Sequence, residues 1–307
     1  MNEIKNGVWP VMITPFTADN QIDYPAVKAI IDFYAENGCA GVFAVCQSSE
    51  MFFLSKEERL ALAKCCIDYC HEKGLGVVVS GHVAPAVEDQ IIEAQAIIDM
   101  GADSYVFISN QFASPEESEE VVKERITYLL DHIKGDSFGI YECPLPWKRL
   151  VSLDFLKTVA PEGRMVFLKD TCCDYELIRE RLKAVEGTPL KIFNANAQSW
   201  FDSYCHGGAG YNGVMANFHP DLYKWCYDHK DSDPEKARLV ADFLTTAAMI
   251  EMRVYPCSAK YYHSLVGVPM STFARSKDNA GLDKNARGEV ESLINVEKYL
   301  REKLGIN

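Results

Sequence analysis

The stretch FGIYECPLPWKRLVSLDFLKTVAPEGRMVFLKD, residues 138–170, decides the fold. It opens on the apolar run FGIY and closes on MVFLK followed by Asp170, each run of strand length. A longer amphipathic segment lies between them. Strand, helix, strand in that order is the unit of a parallel sheet, whose strands are buried on both faces and read as continuous apolar runs. Outward from this unit, similar runs recur at 7–14, 41–45, 76–80, 104–108, 191–194 and 210–215, which with 138–141 and 165–169 makes eight. The helix signals between them agree. Ser55 and Glu58 have the spacing of a capping box ahead of LALAKCCIDYC, and Gly74 stands where that helix should stop. Ser114 as N-cap, Pro115 and Glu117 predict a further helix running up to Gly135. Eight β/α units in roughly 220 residues fit an α/β fold of the (β/α)8 TIM-barrel type. An open doubly wound sheet would carry a GxGxxG fingerprint, which this chain lacks. The polar segment DHKDSDPEK at 228–236 marks a boundary, dividing a barrel at 1–230 from a C-terminal helical region at 231–307 of about three helices.

Charge narrows the partners. The 307 residues include 44 acidic and 31 basic side chains, a formal net charge of −13 that repels nucleic acid and anionic lipid. An anionic substrate must then be gripped by local donors against the field of the whole molecule. No apolar run approaches the roughly 20 residues of a membrane span, and residues 1–9 show no basic stretch followed by an apolar one, so the expected location is cytoplasmic. The 11 cysteines are scattered through apolar patterns, as at Cys65, Cys66 and Cys70, which suits buried reduced thiols better than a disulfide framework or a metal site.

Active sites of such barrels sit at the C-terminal ends of the strands, so polar residues closing apolar runs are the ones to weigh. Lys169 closes one run and Tyr141 another. An amine at the mouth of an apolar barrel is partly desolvated, which disfavours the ammonium and makes a nucleophile of it. The plain alternative is a lysine reaching solvent or pairing with Asp170, although strand alternation points these neighbours to opposite faces. Tyr141, on the preceding strand, can lie near that amine and relay protons. Its plain alternative is packing. At the end of strand two, AVCQSSEMFFLS (residues 44–55) offers Gln47, Ser48 and Ser49 as amide, hydroxyl and backbone donors suited to a carboxylate, with Glu50 holding the loop.

These elements, together with GVWPVMITPF at 7–16, GHVAPAVEDQ at 81–90, YECP at 141–144, LKDTCC at 168–173, HGGAGYNGVMAN at 206–217 and YPCSAKYY at 255–262, resemble the dihydrodipicolinate synthase and N-acetylneuraminate lyase family of pyruvate-dependent barrel enzymes. The likeness spans essentially the whole chain. It implies Lys169 as the Schiff base with the keto carbon, Tyr141 as proton carrier and Ser48 with its backbone as carboxylate clamp. Gln47 and Ser49 flank that clamp, and Asn212 adds a backbone carbonyl. It implies no cofactor and no metal, and a homo-oligomer, either a dimer or a tetramer of tight dimers. The departures bear on the substrate. Gln47 replaces a hydroxyl residue, Ser49 a glycine and Glu142 an asparagine. Gln111 or Phe112 stands where a neighbouring subunit lends a tyrosine, Pro146 stands where an arginine grips aspartate semialdehyde, and NANAQS at 194–199 lacks the sialic acid lyases' glycine and acidic pair.

The leading expectation is therefore reversible aldol cleavage or addition on a 2-oxo acid such as a 2-keto-3-deoxy sugar acid. The alternatives are 4-hydroxy-tetrahydrodipicolinate synthase, N-acetylneuraminate lyase, and a non-catalytic 2-oxo acid binding protein. A phosphosugar aldolase would use GGAGYNG at 207–213 as a phosphate cradle, but no Lys or Arg accompanies it, so those glycines read as a tight entry to strand eight.

Overall fold

A computed structural model describes residues 3–306. Eight parallel strands form the sheet: β1 (Gly7–Val8), β2 (Gly41–Ala44), β3 (Gly76–Val79), β4 (Ser104–Ile108), β5 (Phe138–Tyr141), β6 (Met165–Asp170), β7 (Lys191–Asn194) and β8 (Gly210–Tyr211). Each pairs with its sequence neighbour from β2 to β8, and β8 returns to β1. Closure between β1 and β2 comes from a parallel bridge of Val11 with Phe43, where the Phe43 N–H donates to Pro10 O (2.9 Å) and the Met12 N–H to Phe43 O (3.0 Å). The result is a TIM barrel.

Helices α1 (Tyr24–Glu36), α2 (Lys56–Glu72), α3 (Val87–Asp99), α4 (Glu119–His132), α5 (Leu153–Val159), α6 (Tyr175–Ala184), α7 (Trp200–Cys205) and α8 (Pro220–His229) alternate with the strands. Three more follow: α9 (Pro234–Ala247), α10 (Cys257–Leu265) and α11 (Lys284–Leu304). Among the described residues no helix is long and apolar enough to cross a membrane. One hydrophobic core runs from Ile4 to Ile306 and takes in Leu244, Tyr262 and Val290 of the tail with the barrel strands. Polar ties add to it, including His219 with Glu297 (2.6 Å) and Arg275 with Glu58 (2.7 Å).

The bottom of the barrel is plugged by Trp9, packed edge-on against Phe167 and Phe193 at 5.9 and 5.8 Å. Its indole lies against the starts of β2 and β3, where a Cβ on Gly41 or Gly76 would meet the ring at 2.3 or 2.5 Å. Those two strands begin on glycine because the plug leaves no room for a side chain.

Two expected strands are shorter than read, and one helix starts later. The first run pairs as a strand only at Gly7–Val8, since Pro10 has no N–H to contribute to a ladder. The last leaves the sheet after Tyr211, because Gly213 is wedged where a Cβ would strike Tyr211 Oη (2.2 Å) and Ala195 O (2.7 Å), and Val214–Asn217 then winds as a 3-10 turn. Ser114 is not the N-cap of α4. Its N–H is taken by Glu117 Oε2 (2.7 Å), Arg125 holds Glu117 (2.9 Å), and the helix begins after Ser118. The α2 capping box forms as read, with the Ser55 N–H donating to Glu58 Oε2 (2.9 Å) and the Glu58 N–H to Ser55 Oγ (3.2 Å).

Candidate active site

At the C-terminal mouth, β5 and β6 are in register so that Tyr141 stands beside Lys169. The Lys169 amine lies 4.2 Å from the centroid of the Tyr141 ring and 5.6 Å from that of Phe43, on β2. Its side chain is 5% exposed and has neither an ion pair nor a hydrogen bond among the described residues. Burial pushes its pKa down to about 8, with Cys46, Cys143 and Glu251 acting weakly the other way. A useful fraction is thus neutral amine near physiological pH, as nucleophilic attack requires. Asp170 does not hold it. That carboxylate sits on the opposite side of β6, bound to Arg181 and to the Cys172 N–H (2.9 Å).

Lys169 opens into a cavity of about 360 Å³ whose polar lining includes Gln47, Ser48, Tyr141 and Thr171, with Tyr255 at one side and Lys277 at the mouth. The Tyr141 hydroxyl donates to Gln47 Oε1 (3.0 Å), which also accepts from Cys143 Sγ (3.5 Å). Burial holds the Tyr141 phenol well above its ordinary range, so it is a protonated donor at neutral pH.

The loop after β2 divides its four polar residues between two environments. Gln47 and Ser48 face the cavity, and neither of their backbone N–H groups has a partner among the described residues. Val45 and Glu50, both in the left-handed region (φ 50° and 62°), bracket this turn. Ser49 is turned away. Its hydroxyl donates to Met12 O (2.6 Å) and accepts the Cys46 N–H (3.1 Å), so it anchors the loop rather than reaching the cavity. Glu50 is buried too, binding Lys260 Nζ (3.0 Å) and the N–H groups of Arg275 and Ser276 (both 2.7 Å). Asn212 is buried, with its side chain donating to Trp9 O and its N–H to Asn194 O (2.9 Å). Its carbonyl takes no partner among the described residues, and the next residue, Gly213, lines the cavity.

The altered positions separate in the same way. Glu142 does not enter the cavity: it is fully buried behind β5, with Oε1 on Arg181 (2.8 Å) and the Val151 N–H (2.9 Å) and Oε2 on the Thr171 N–H (2.9 Å). Phe112 packs on His82 and Phe107 at 5.9 and 5.7 Å, away from Lys169. Arg149 donates to Glu117 O (2.9 Å), whereas Lys148 reaches Thr171 O at the cavity rim. In the loop after β7, Asn196 Oδ1 is consumed by Ser199 N and Oγ (both 2.9 Å), leaving only Ala195 against the cavity.

Three groups were not singled out in the sequence. Thr171 lies just past Lys169, and Tyr255 arrives from the segment before α10. Glu251 carries a charge that acts on Lys169; burial raises its pKa to about 7, and its Oε1 has no partner among the described residues. A tyrosine or glutamate outside the strand ends carries no local mark of such a position. The arrangement suits imine chemistry: a neutral amine, a phenol beside it, and an amide-lined turn for a carboxylate.

Known proteins resemble this chain in sequence and in fold. The chain is 25% identical over 264 residues, 85% of each chain, to a 4-hydroxy-tetrahydrodipicolinate synthase of Anaplasma marginale (strain St. Maries). Among solved structures it superposes with a TM-score of 0.84 on YagE, a prophage protein of the dihydrodipicolinic acid synthase family from E. coli K12 in complex with pyruvate (23% identity, 98% and 99% of the two chains). CdNal from Clostridium difficile in complex with mannosamine gives 0.83 at 15% identity, covering 94% and 97%. The family model of the dihydrodipicolinate synthetases matches residues 5–297, so the chain belongs to the dihydrodipicolinate synthetase family and is an enzyme of the class I aldolase type, a carbon–carbon lyase.

Proposed function

We propose that Lys169 condenses with the keto carbon of pyruvate, or of a longer 2-oxo acid cleaved to it, and that the protein runs a reversible aldol reaction through the resulting enamine. The observation that carries this reading is the buried, unpaired amine 4.2 Å from the Tyr141 ring. The ammonium and the ketone give an iminium and water, so two protons must travel from nitrogen to the departing oxygen. Tyr141 carries them. The substrate carboxylate sits on the N–H groups of Gln47 and Ser48 and on the Ser48 hydroxyl, and the Asn212 carbonyl faces the same space. A 2-keto-3-deoxy sugar acid is the preferred long substrate, its distal hydroxyls meeting Thr171 and Ser276. A homo-oligomer, dimer or tetramer, belongs to the same reading.

The test is direct. Incubation with pyruvate and borohydride should give a covalent adduct by intact mass, and Lys169→Ala should abolish it. An unaltered protein that forms no adduct with any 2-oxo acid would sink the reading. The second reading, 4-hydroxy-tetrahydrodipicolinate synthase, is favoured by the Anaplasma relative and by Lys277 at the mouth, a cation for a distal carboxylate. Turnover of pyruvate with aspartate semialdehyde, against release of pyruvate from sugar acids, decides between the two.

A further inference from the structure

Among the described residues no arginine lines the cavity, so a carboxylate beside Ser48 must be met by neutral donors. The N–H groups of Gln47 and Ser48 and the Ser48 hydroxyl are three. A carboxylate offers about four lone-pair sites, which leaves room for another. Tyr255 lines the same cavity, and its segment is tied to the loop after β2: Lys260, early in α10, binds Glu50 Oε1 (3.0 Å), two residues beyond Ser48.

Behind that phenol stands Asn217, at the end of the 3-10 turn after β8. Its Nδ2 donates to Val11 O and Val214 O (both 3.0 Å) and to Tyr255 Oη (3.2 Å), while its Oδ1 accepts from the buried Tyr34 hydroxyl (2.6 Å). Backbone carbonyls only accept, so the amide cannot be reversed, and an amide NH2 group donates without accepting. The Tyr255 hydrogen therefore cannot turn toward Asn217. Nor does it reach any other acceptor among the described residues. Burial holds this phenol well above its ordinary range, so the hydrogen stays on at neutral pH. Tyr141 has the opposite arrangement at rest, with its hydrogen given to Gln47 Oε1 (3.0 Å). Of the two phenols lining the cavity, Tyr255 is the one whose hydrogen is free for a ligand.

We propose that Tyr255, aimed by Asn217, is a substrate-binding residue whose hydroxyl donates directly to the carboxylate of the 2-oxo acid, beside the N–H groups of Gln47 and Ser48. This rests on the reading that the cavity holds a 2-oxo acid on Lys169. It makes recognition of the carboxylate depend on a side chain from the C-terminal region and assigns Tyr255 no proton of the reaction itself.

The experiment is exchange of the pyruvate methyl protons with D2O, followed by NMR, which reads enamine formation without a second substrate. In Tyr255→Phe both amide hydrogens of Asn217 keep carbonyl partners, so the variant should fold. Its pyruvate concentration for half-maximal exchange should rise about 10-fold or more, the worth of one hydrogen bond to a charged group, while the maximal rate stays within about threefold. Methyl pyruvate, whose ester oxygens are uncharged, should show a rise smaller by at least about threefold. Asn217→Asp is the second variant: its carboxylate accepts the phenol hydrogen, draws it out of the cavity and should weaken pyruvate in the same selective way, whether or not Tyr255→Phe folds. An unchanged half-saturation for pyruvate, equal weakening of both ligands, or a fall in maximal rate alone would each overturn the proposal. Wild-type protein that forms no adduct removes the parent reading, whereas an adduct with unaltered selectivity in these variants removes only this one.

Discussion

Tyr141 and Glu142 are neighbours in the chain, as are Lys169 and Asp170, yet the inner and outer member of each pair meet different surroundings. Outside, Glu142 and Asp170 share the guanidinium of Arg181 and accept backbone N–H groups of Val151, Thr171 and Cys172. Both carboxylates lean on that one cation. Inside, among the described residues, the Lys169 amine has no partner and the N–H groups of Gln47 and Ser48 are unused. The loop after β2 repeats the division, with Ser49 and Glu50 bonded inward and Gln47 and Ser48 left to the cavity. The lesson is one of bonding capacity: the outer face spends its carboxylates on holding two strand ends together, and the inner face keeps donors in reserve for a ligand. Unsatisfied and desolvated groups cost stability, and they persist where chemistry uses them.

The sharpest way to break this contrast is Lys169→Met. Adduct formation and turnover should fall by at least about 1,000-fold, as for loss of a covalent nucleophile, yet the fold should gain stability. The sign follows from the lysine, whose folded value of about 8 lies below its ordinary 10.5. Between those pH values the unfolded chain holds a proton the folded one has shed, so wild-type stability rises with pH across that window. The gain in Lys169→Met should accordingly be largest below pH 8 and vanish above about 10.5, read from melts in a pH series. A variant destabilised at pH 7 would contradict the assignment of an unpaired buried amine.

Arg181→Met should have the opposite profile. It strands two buried carboxylates, at a cost of about 3–5 kcal/mol in urea unfolding, while whatever remains folded still traps pyruvate. Adding Glu142→Gln and Asp170→Asn should recover most of the loss, because then no buried charge is left uncompensated. Loss of the adduct without loss of stability would mean that the outer cluster serves the chemistry.

A smaller effect is expected from Glu50→Gln. Lys260 loses its counter-ion, although the amide oxygen can still accept from Arg275 and Ser276, so the cost should be about 1–3 kcal/mol. Hydrogen exchange should quicken at Arg275 and Ser276, at the cavity mouth. No change there would show that Glu50 does not hold that segment.

Much of this was legible beforehand. The runs at 104–108, 138–141 and 191–194 coincide with β4, β5 and β7, because a strand buried on both faces is apolar throughout and stops where polarity resumes. Runs that mix strand with turn misled at β1 and β8, where Pro10 and Gly213 interrupt the ladder. Adjacent serines could not be told apart either. Val45 and Glu50 at positive φ break the two-residue alternation, so Ser48 and Ser49 part company for reasons no spacing records.

What the sequence determined alone is the placement of Lys169 and Tyr141 at the ends of successive strands. Strand order in such a barrel follows chain order, and both signals are local. Tertiary structure alone decided what surrounds them. Glu50 meets Lys260 across 210 residues, and Ser48 and Tyr255 line one cavity only because the segment before α10 is folded back to it. Contacts of that range depend on how the tail helices pack on the barrel, and nothing in the spacing of residues along either segment encodes it.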